Sequence, residues 1–137
     1  MDIQERIKNT ETHQFKMVFH NAVNDHDTLF GGTAMQWMDE VAYITATRFT
    51  RMSMVTVCCG KIEFLKPIKY GSFAEIVGKV TKAGKAKIEI EVVIFTEDMN
   101  SDTRSKAVEG SFSFAAIDKN HNPIRIEMVD SLINCHN

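Results

Sequence analysis

The segment from Gly31 to Phe49 constrains the fold of this chain more than any other part of the sequence. Beyond the two glycines at its start, mostly apolar residues recur at the three- and four-residue spacing of an α-helix: Ala34, Met38, Val41, Ala42, Thr45 and Phe49. Four more apolar residues fill most of the other directions around this helix: Met35, Trp37, Ile44 and Ala46. A helix that is apolar nearly all round lies inside a protein, so other elements must enclose it.

The rest of the chain alternates polar and apolar residues as β-strands do. The pattern predicts one strand before the helix, at residues 15–19, in which Phe15, Met17 and Phe19 share the half-buried face. It predicts four strands after the helix, at residues 54–65, 73–82, 87–96 and 105–117, the first with a break or bulge near Gly60. Because the helix has no polar face for water, we expect an α+β fold in which the sheet curls around the helix.

Length and composition allow one domain and little more. The 137 residues, 44% hydrophobic and 25% charged, predict a single domain over residues 1–137. Its core is expected at about residues 12–126, and a short helix is expected in the tail, 127–137. An active site in so small a domain must itself be small or be shared with another copy of the chain.

Charge and cysteine content exclude several classes of protein. A formal net charge of −2 argues against a protein that binds duplex nucleic acid. The three cysteines, Cys58, Cys59 and Cys135, form neither a disulfide framework nor a CxxC pair for zinc. The charged N-terminus does not look like a secretory signal, and no apolar run is long enough to span a bilayer. We therefore expect a cytoplasmic protein with reduced thiols, no metal and no membrane insertion.

The residues from Asn24 to Glu40 carry the most specific motif. Asn24 precedes a loop that ends in Phe30-Gly31-Gly32, and Met38-Asp39-Glu40 follows one or two helical turns later. This arrangement resembles the acyl-CoA thioesterase signature of the hotdog-fold superfamily, and weaker likenesses continue in order through residues 15–126. The resemblance implies a hotdog domain, a curled antiparallel sheet wrapped around one long central helix. It also implies hydrolysis of acyl-CoA to the free acid and CoA.

Thioester hydrolysis requires a base for water and donors for the oxyanion. Asp39 lies among apolar side chains, where burial disfavours its charged form and makes it a better base; the resemblance implies a general base or a nucleophile. Asn24 has no useful proton affinity and is expected to orient a water or to donate to the thioester carbonyl. The N–H groups at the Gly31-Gly32 helix start suit the oxyanion, Gly32 above all. The resemblance places Thr56 near the site, where its hydroxyl would hold water or Asp39.

Each of these residues also has a purely structural explanation. An aspartate in a helix can be satisfied by a nearby donor, and an asparagine in a loop is a common turn residue. Glycines allow a strand to pack closely on a helix, and threonine favours strands.

Substrate binding is expected at the helix start and at basic strand ends. Phe30, Gly31 and Met35 would contact acyl-CoA, and Lys85 and Lys87 would hold its phosphates. CoA belongs to the substrate, so no cofactor is expected. The resemblance implies that each site takes its asparagine and its aspartate from different subunits of a homodimer, and that three dimers form a hexamer.

Two positions depart from the family pattern, and two other functions remain open. Asp27 stands where a glycine is common, and Lys87 where a serine or threonine is common; these changes bear on substrate choice more than on reaction class. One alternative is a non-catalytic module that binds or senses acyl-CoA. The other is a hotdog dehydratase, for which His26 is the nearby histidine.

Overall fold

The computed structural model describes residues 2–127 and confirms an antiparallel sheet that curls around one long helix. Its elements are α1 (Ile3–Asn9), β1 (Thr12–Met17), a 3₁₀ turn (His20–Ala22), α2 (Gly31–Thr50), β2 (Met54–Cys59), β3 (Glu63–Phe64), β4 (Phe73–Ala83), β5 (Ile88–Glu97), β6 (Arg104–Ile117) and β7 (Pro123–Ile124). The strands form one sheet in the order β1-β4-β5-β6-β2, and the two-residue strands β3 and β7 pair with β6.

The strands that come later in the chain, β4, β5 and β6, lie at the centre of the sheet, and the earlier strands β1 and β2 lie at its edges. β1 pairs with β4, with Thr12 opposite Gly78, and β2 pairs with β6, with Met54 opposite Ala116. Since β2 is last in the sheet order, one side of it has no strand partner within residues 2–127. β2 is therefore an edge strand with free backbone hydrogen-bonding groups.

The core lies between α2 and the concave face of the sheet, and it fixes the position of the helix. The largest fully buried side chains include Phe49, Phe114, Met38, Ile76, Ile88, Ile90, Ile94 and Ile126. The helix lies very close to β4 at Gly78, where an added Cβ would come within 2.6 Å of Thr45 Oγ1 and 2.9 Å of Val41 Cγ1. Only glycine fits this contact.

One strip of α2 is open in the single chain, contrary to the prediction of a helix enclosed on all sides. Met35, Tyr43 and Ile44 expose 38%, 46% and 40% of their surface. The neighbouring edge strand β2 likewise exposes Val55 and Val57. Several exposed apolar side chains beside an unpaired strand edge are typical of a surface that another chain covers.

β1 differs from the prediction in both its bounds and its faces. It covers Thr12–Met17 rather than residues 15–19, and Phe15 and Phe19 are largely exposed. Phe15 lies opposite Glu75, whose neighbours Ala74 and Ile76 face the core. Phe15 therefore points away from α2.

The other differences are small. The strand predicted at residues 54–65 is split into β2 and β3, with Gly60 between them and a bulge between Thr56 and Cys58. The helix α1 was not predicted. The predicted terminal helix falls almost entirely on residues 128–137, outside the described residues.

Candidate active site

Asp39 and Thr56 meet where α2 passes the edge strand β2. Asp39 lies in the ninth position of α2 and is half-buried. Thr56 Oγ1 donates a hydrogen bond to Asp39 Oδ1 at 2.9 Å. This carboxylate makes no other hydrogen bond or ion pair within residues 2–127, so Oδ2 is available to accept a proton from water. The hydroxyl thus holds one carboxylate oxygen and leaves the other free to accept a hydrogen bond.

A shallow cavity of about 350 Å³ adjoins Asp39 on the open strip of the helix. Its other lining residues are Gln14, Glu40, Tyr43 and Ile44. A water or part of a small ligand can therefore reach the carboxylate from this side.

Asn24 lies in the loop before α2, with its side-chain oxygen fully engaged. Oδ1 accepts hydrogen bonds from the backbone N–H of His26 at 2.9 Å, from the backbone N–H of Thr28 at 3.2 Å and from Thr28 Oγ1 at 3.1 Å. The Nδ2 group has no acceptor within residues 2–127. Asn24 therefore shapes its turn with one end of the amide and offers a donor with the other.

The start of α2 also offers donors. Phe30 is the N-cap residue and makes no side-chain cap, and the N–H groups of Gly31 and Gly32 have no acceptor among the described residues. Neither glycine has a positive φ. A Cβ added to Gly32 would meet nothing within 4 Å, and one added to Gly31 would be 3.5 Å from the Phe64 ring. Close packing of a strand on the helix therefore does not explain why residue 32 is a glycine.

An apolar cavity of about 280 Å³ lies beside the helix start, and most of its lining was not predicted. It is lined by Leu29, Ala34, Phe64, Leu65, Lys66, Pro67, Ile68 and Val108. Two of the predicted contacts, Phe30 and Met35, lie instead on the exposed surface. The run from Phe64 to Pro67 belongs to the weaker family likeness and was the available signal for this cavity.

The predicted site residues form two separate groups in one chain. The first lies at the start of α2 and includes Gly31, and the second consists of Asp39 and Thr56. Gly31 and Asp39 are eight residues apart on α2, which is about 12 Å along the helix axis. The sheet separates them too. Phe64, beside Gly31, pairs with Val108, whereas Thr56, bonded to Asp39, pairs with Phe114. Six residues of a strand span about 20 Å.

Lys85 and Lys87 lie on the side of the sheet nearer to Asp39 and Thr56. They lie in the hairpin between β4 and β5, where Gly84 N–H donates to the Lys87 carbonyl at 2.9 Å. The next residue, Ile88, pairs with Phe114, as Thr56 does on the other side. Lys87 is therefore near the row of Thr56, about two strands or 10 Å across the sheet, and far from Phe30, Gly31 and Met35.

The histidine near the site has a carboxylate neighbour other than Asp39. His26 Nε2 is 3.7 Å from Asp25 Oδ1, and both side chains are largely exposed. Within residues 2–127, no group of three or more His, Cys, Asp or Glu side chains could hold a metal ion. No helix in the same range has the length and apolar character needed to cross a membrane.

Comparison with known proteins identifies the family. A family model described as the thioesterase superfamily matches residues 26–102. An acyl-CoA thioester hydrolase of Bacillus subtilis, not itself characterised, is 33% identical over 112 residues, which are 82% of this chain and 65% of that protein. The chain thus spans about two thirds of the length of this relative.

Solved structures agree with this match. The acyl-CoA hydrolase of Staphylococcus aureus, in complex with butyryl-CoA, CoA and CoA disulfide, is 32% identical with a TM-score of 0.83; the match covers 88% of this chain and 73% of that one. Three further structures of that enzyme carry alanine in place of a threonine, an aspartate or an asparagine. A hexameric thioesterase of Yersinia pestis is 25% identical with a TM-score of 0.77, over 82% of this chain and 92% of that one. The chain therefore belongs to the thioesterase superfamily and has its hotdog fold.

Proposed function

We propose that this protein hydrolyses acyl-CoA to the free acid and CoA in active sites that two copies of the chain share. The observation that carries the proposal is the division of the site. Asp39 and Thr56 form a base with one free oxygen, while the free donors of Gly31 and Gly32 lie at the start of α2, about 12 Å away along the helix axis, and that of Asn24 lies in the preceding loop.

The spacing of three residues supports these assignments. In the Staphylococcus aureus enzyme, the substituted asparagine and aspartate are 15 residues apart, and the aspartate and threonine are 17 apart. Asn24, Asp39 and Thr56 have the same two separations.

The proposed reaction uses Asp39 as a general base. Its free oxygen takes a proton from water as the water oxygen attacks the carbonyl carbon, and the carbonyl electron pair moves onto oxygen. The resulting oxyanion is met by Nδ2–H of Asn24 and by the N–H of Gly32. Collapse of this intermediate breaks the C–S bond, and the departing thiolate takes the proton from Asp39. A nucleophilic Asp39 would instead displace CoA and form a mixed anhydride with the acyl group. If water then attacks the aspartyl carbonyl of that anhydride, a single turnover in ¹⁸O-water labels the Asp39 carboxylate, whereas the general-base route labels only the free acid.

Reaction geometry explains why two copies are needed. The base, the water, the carbonyl and the oxyanion donors follow each other at about 3 Å, which places the base within roughly 7 Å of the donors. Gly31 and Asp39 of one helix are about 12 Å apart along the axis. A second copy related by a twofold axis, with its helix antiparallel along the open strip, would bring its donors beside Asp39.

The rest of the proposal concerns binding and assembly. Lys85 and Lys87 would attract the CoA phosphates, and three dimers would form a hexamer; the Yersinia pestis relative is also hexameric. A cytoplasmic location would keep Cys58 and Cys59 reduced.

The dehydratase alternative is disfavoured because His26 is paired with the exposed Asp25.

Mixed assemblies provide the test. Wild-type protein is first assayed for thiol release from acyl-CoAs of increasing chain length, and butyryl-CoA is the starting substrate. The variants Asn24→Ala and Asp39→Ala are each expected to lose at least 100-fold in kcat.

Co-expressed in equal amounts, these two variants should recover about a quarter of wild-type activity. Half of the dimers are then mixed, and each mixed dimer has one intact site. Recovery below 1% would contradict the shared site. Tight binding of acyl-CoA by the wild type, without turnover of any member of the chain-length series, would contradict hydrolysis and favour the sensor.

A further inference from the structure

We infer that Thr28 is a positioning residue for Asn24, whose amide it holds so that only the Nδ2–H donors face the substrate. The inference rests on the proposed function, because Asn24 is taken to donate to the thioester oxygen. Thr28 itself was not among the predicted site residues. It is half-buried and lies four residues after Asn24.

The orientation of the Asn24 amide follows from its partners. The backbone N–H groups of His26 and Thr28 point at one end of the amide from 2.9 and 3.2 Å. Both groups can only donate, so the atom that faces them must be the oxygen. The Thr28 hydroxyl, at 3.1 Å from the same oxygen, adds a third donor.

Thr28 is in turn fixed to the body of the protein. Its carbonyl accepts the Asn24 backbone N–H at 2.8 Å, and the next residue, Leu29, donates to the Ile68 carbonyl at 2.7 Å. Thr28 also forms an antiparallel bridge with Lys69. The hydroxyl thus connects the Asn24 side chain to the segment that leads into β4.

The hydroxyl is expected to act in two ways. It restricts rotation of the terminal amide, which is otherwise a broad torsion. It also draws electron density toward Oδ1, which makes the Nδ2–H groups stronger donors through hydrogen-bond cooperativity. Both effects favour the transition state, where the thioester oxygen becomes negative, more than the ground state. Loss of the hydroxyl should therefore lower kcat and leave KM nearly unchanged.

The test compares Thr28→Val with Thr28→Ser in the full chain, with butyryl-CoA as the substrate. Valine has the shape of threonine without the donor, and we expect kcat to fall about tenfold with KM within twofold. Serine retains the hydroxyl and should stay within about threefold of wild-type kcat. If valine disturbs the fold, Thr28→Ala removes the same donor and must show the same fall in kcat. Thr47→Val is the matched control, since it removes a hydroxyl on α2 that has no hydrogen-bond partner among the described residues.

A double-mutant cycle separates positioning from a general structural effect. If Thr28 acts through Asn24, then Thr28→Val should cost nothing further in an Asn24→Ala background. An equal fall in both backgrounds, or an unchanged kcat in the single variant, would overturn the inference.

Failure of the proposed function has a different signature. In that case the wild type itself releases no thiol, or Asn24→Ala keeps full activity.

Discussion

Asp27 holds the backbone of the Asn24 loop in a conformation that favours glycine. Its φ is 58°, in the left-handed region where a side chain has a steric cost, although aspartate tolerates it better than most residues. Its N–H donates to the Asn24 carbonyl, and its carbonyl accepts the Tyr70 N–H. The glycine common in the family at this position is thereby explained.

A series of substitutions at this residue checks the explanation. We expect Asp27→Gly to be at least as stable as wild type, and Asp27→Ala to be about 1 kcal/mol less stable than the glycine variant, since alanine keeps the steric cost without local hydrogen bonds. Urea unfolding measures the difference. Equal stability of the alanine and glycine variants would show that the loop does not need this conformation.

Asn24 allows a second prediction, because the two ends of its amide have different tasks. Asn24→Asp keeps an oxygen for the three donors of the turn but replaces Nδ2 with a second oxygen. We expect unfolding to be unchanged and kcat to fall at least 100-fold. Asn21→Asp, which adds the same charge nearby, should retain activity. Full activity of Asn24→Asp would exclude a donor role.

The first turn of α2 is built for access rather than for stability. Glycine disfavours a helix, and neither the conformation of Gly32 nor contacts within the described residues require it. Gly32→Ala should therefore raise the free energy of unfolding by about 0.5 kcal/mol. The same substitution should lower kcat at least tenfold, because the new methyl group lies where the thioester oxygen must approach. A variant that is both stabilised and fully active would contradict the proposed oxyanion site.

Among the helices and strands, the sequence predicted the ones that bury a face in the core. α2, β4, β5 and β6 were expected nearly where they lie, because apolar periodicity reports burial. α1 was missed since it buries no residue. It is held by Arg6, which donates to the carbonyls of Phe49 and Arg48 at 2.9 and 3.0 Å.

For the site, the motif indicated Asn24, Gly32 and Asp39, and the family resemblance, not periodicity, suggested that the Thr56 hydroxyl holds either water or Asp39. The Thr56–Asp39 hydrogen bond depends on how β2 passes the helix. The engagement of Asn24 Oδ1 depends on the path of the loop. Likewise, Leu29 and Phe64 line one cavity only because β3 pairs with β6 beside the helix start. Periodicity carries no information about such long-range contacts.

On the outer face of the whole sheet, Glu75 joins β1, β4 and β6. The carboxylate accepts from His13 Nδ1 at 3.0 Å and from Arg104 Nη2. Burial raises the pKa of Glu75, but these hydrogen bonds and the Arg104 charge outweigh it, so the pKa lies below its ordinary value. Such a group stabilises the fold above the unfolded-state pKa, and this stability is lost as the pH falls through the folded pKa.

The variant Glu75→Gln tests this contribution. At pH 7 we expect it to be about 1–2 kcal/mol less stable than wild type, because the charged hydrogen bonds are weakened. The difference should shrink as the pH falls below the ordinary glutamate pKa of about 4.3 and should largely disappear once the folded wild-type carboxylate is protonated too. Urea unfolding at several pH values measures both curves. A difference that does not depend on pH would mean that packing, rather than charge, stabilises this cluster.

The free edge of β2 allows a test of the assembled molecule. Val57 is 47% exposed, so Val57→Lys should leave the single chain folded while a charge on the edge opposes strand pairing. We expect a monomer in sedimentation, with activity at least 100-fold lower than wild type. Gln4→Lys adds the same charge on α1 and should change neither property. A fully active monomer would contradict the shared site.

The order of strands in the sheet also has a consequence for synthesis on the ribosome. β1 and β2 emerge early, yet their partners are β4 and β6, which are completed only at residues 83 and 117. In between, the apolar helix α2 has emerged but cannot yet be enclosed. Most of the fold must therefore form after residue 117 has been translated, and until then α2 is a natural target for chaperones that bind apolar segments.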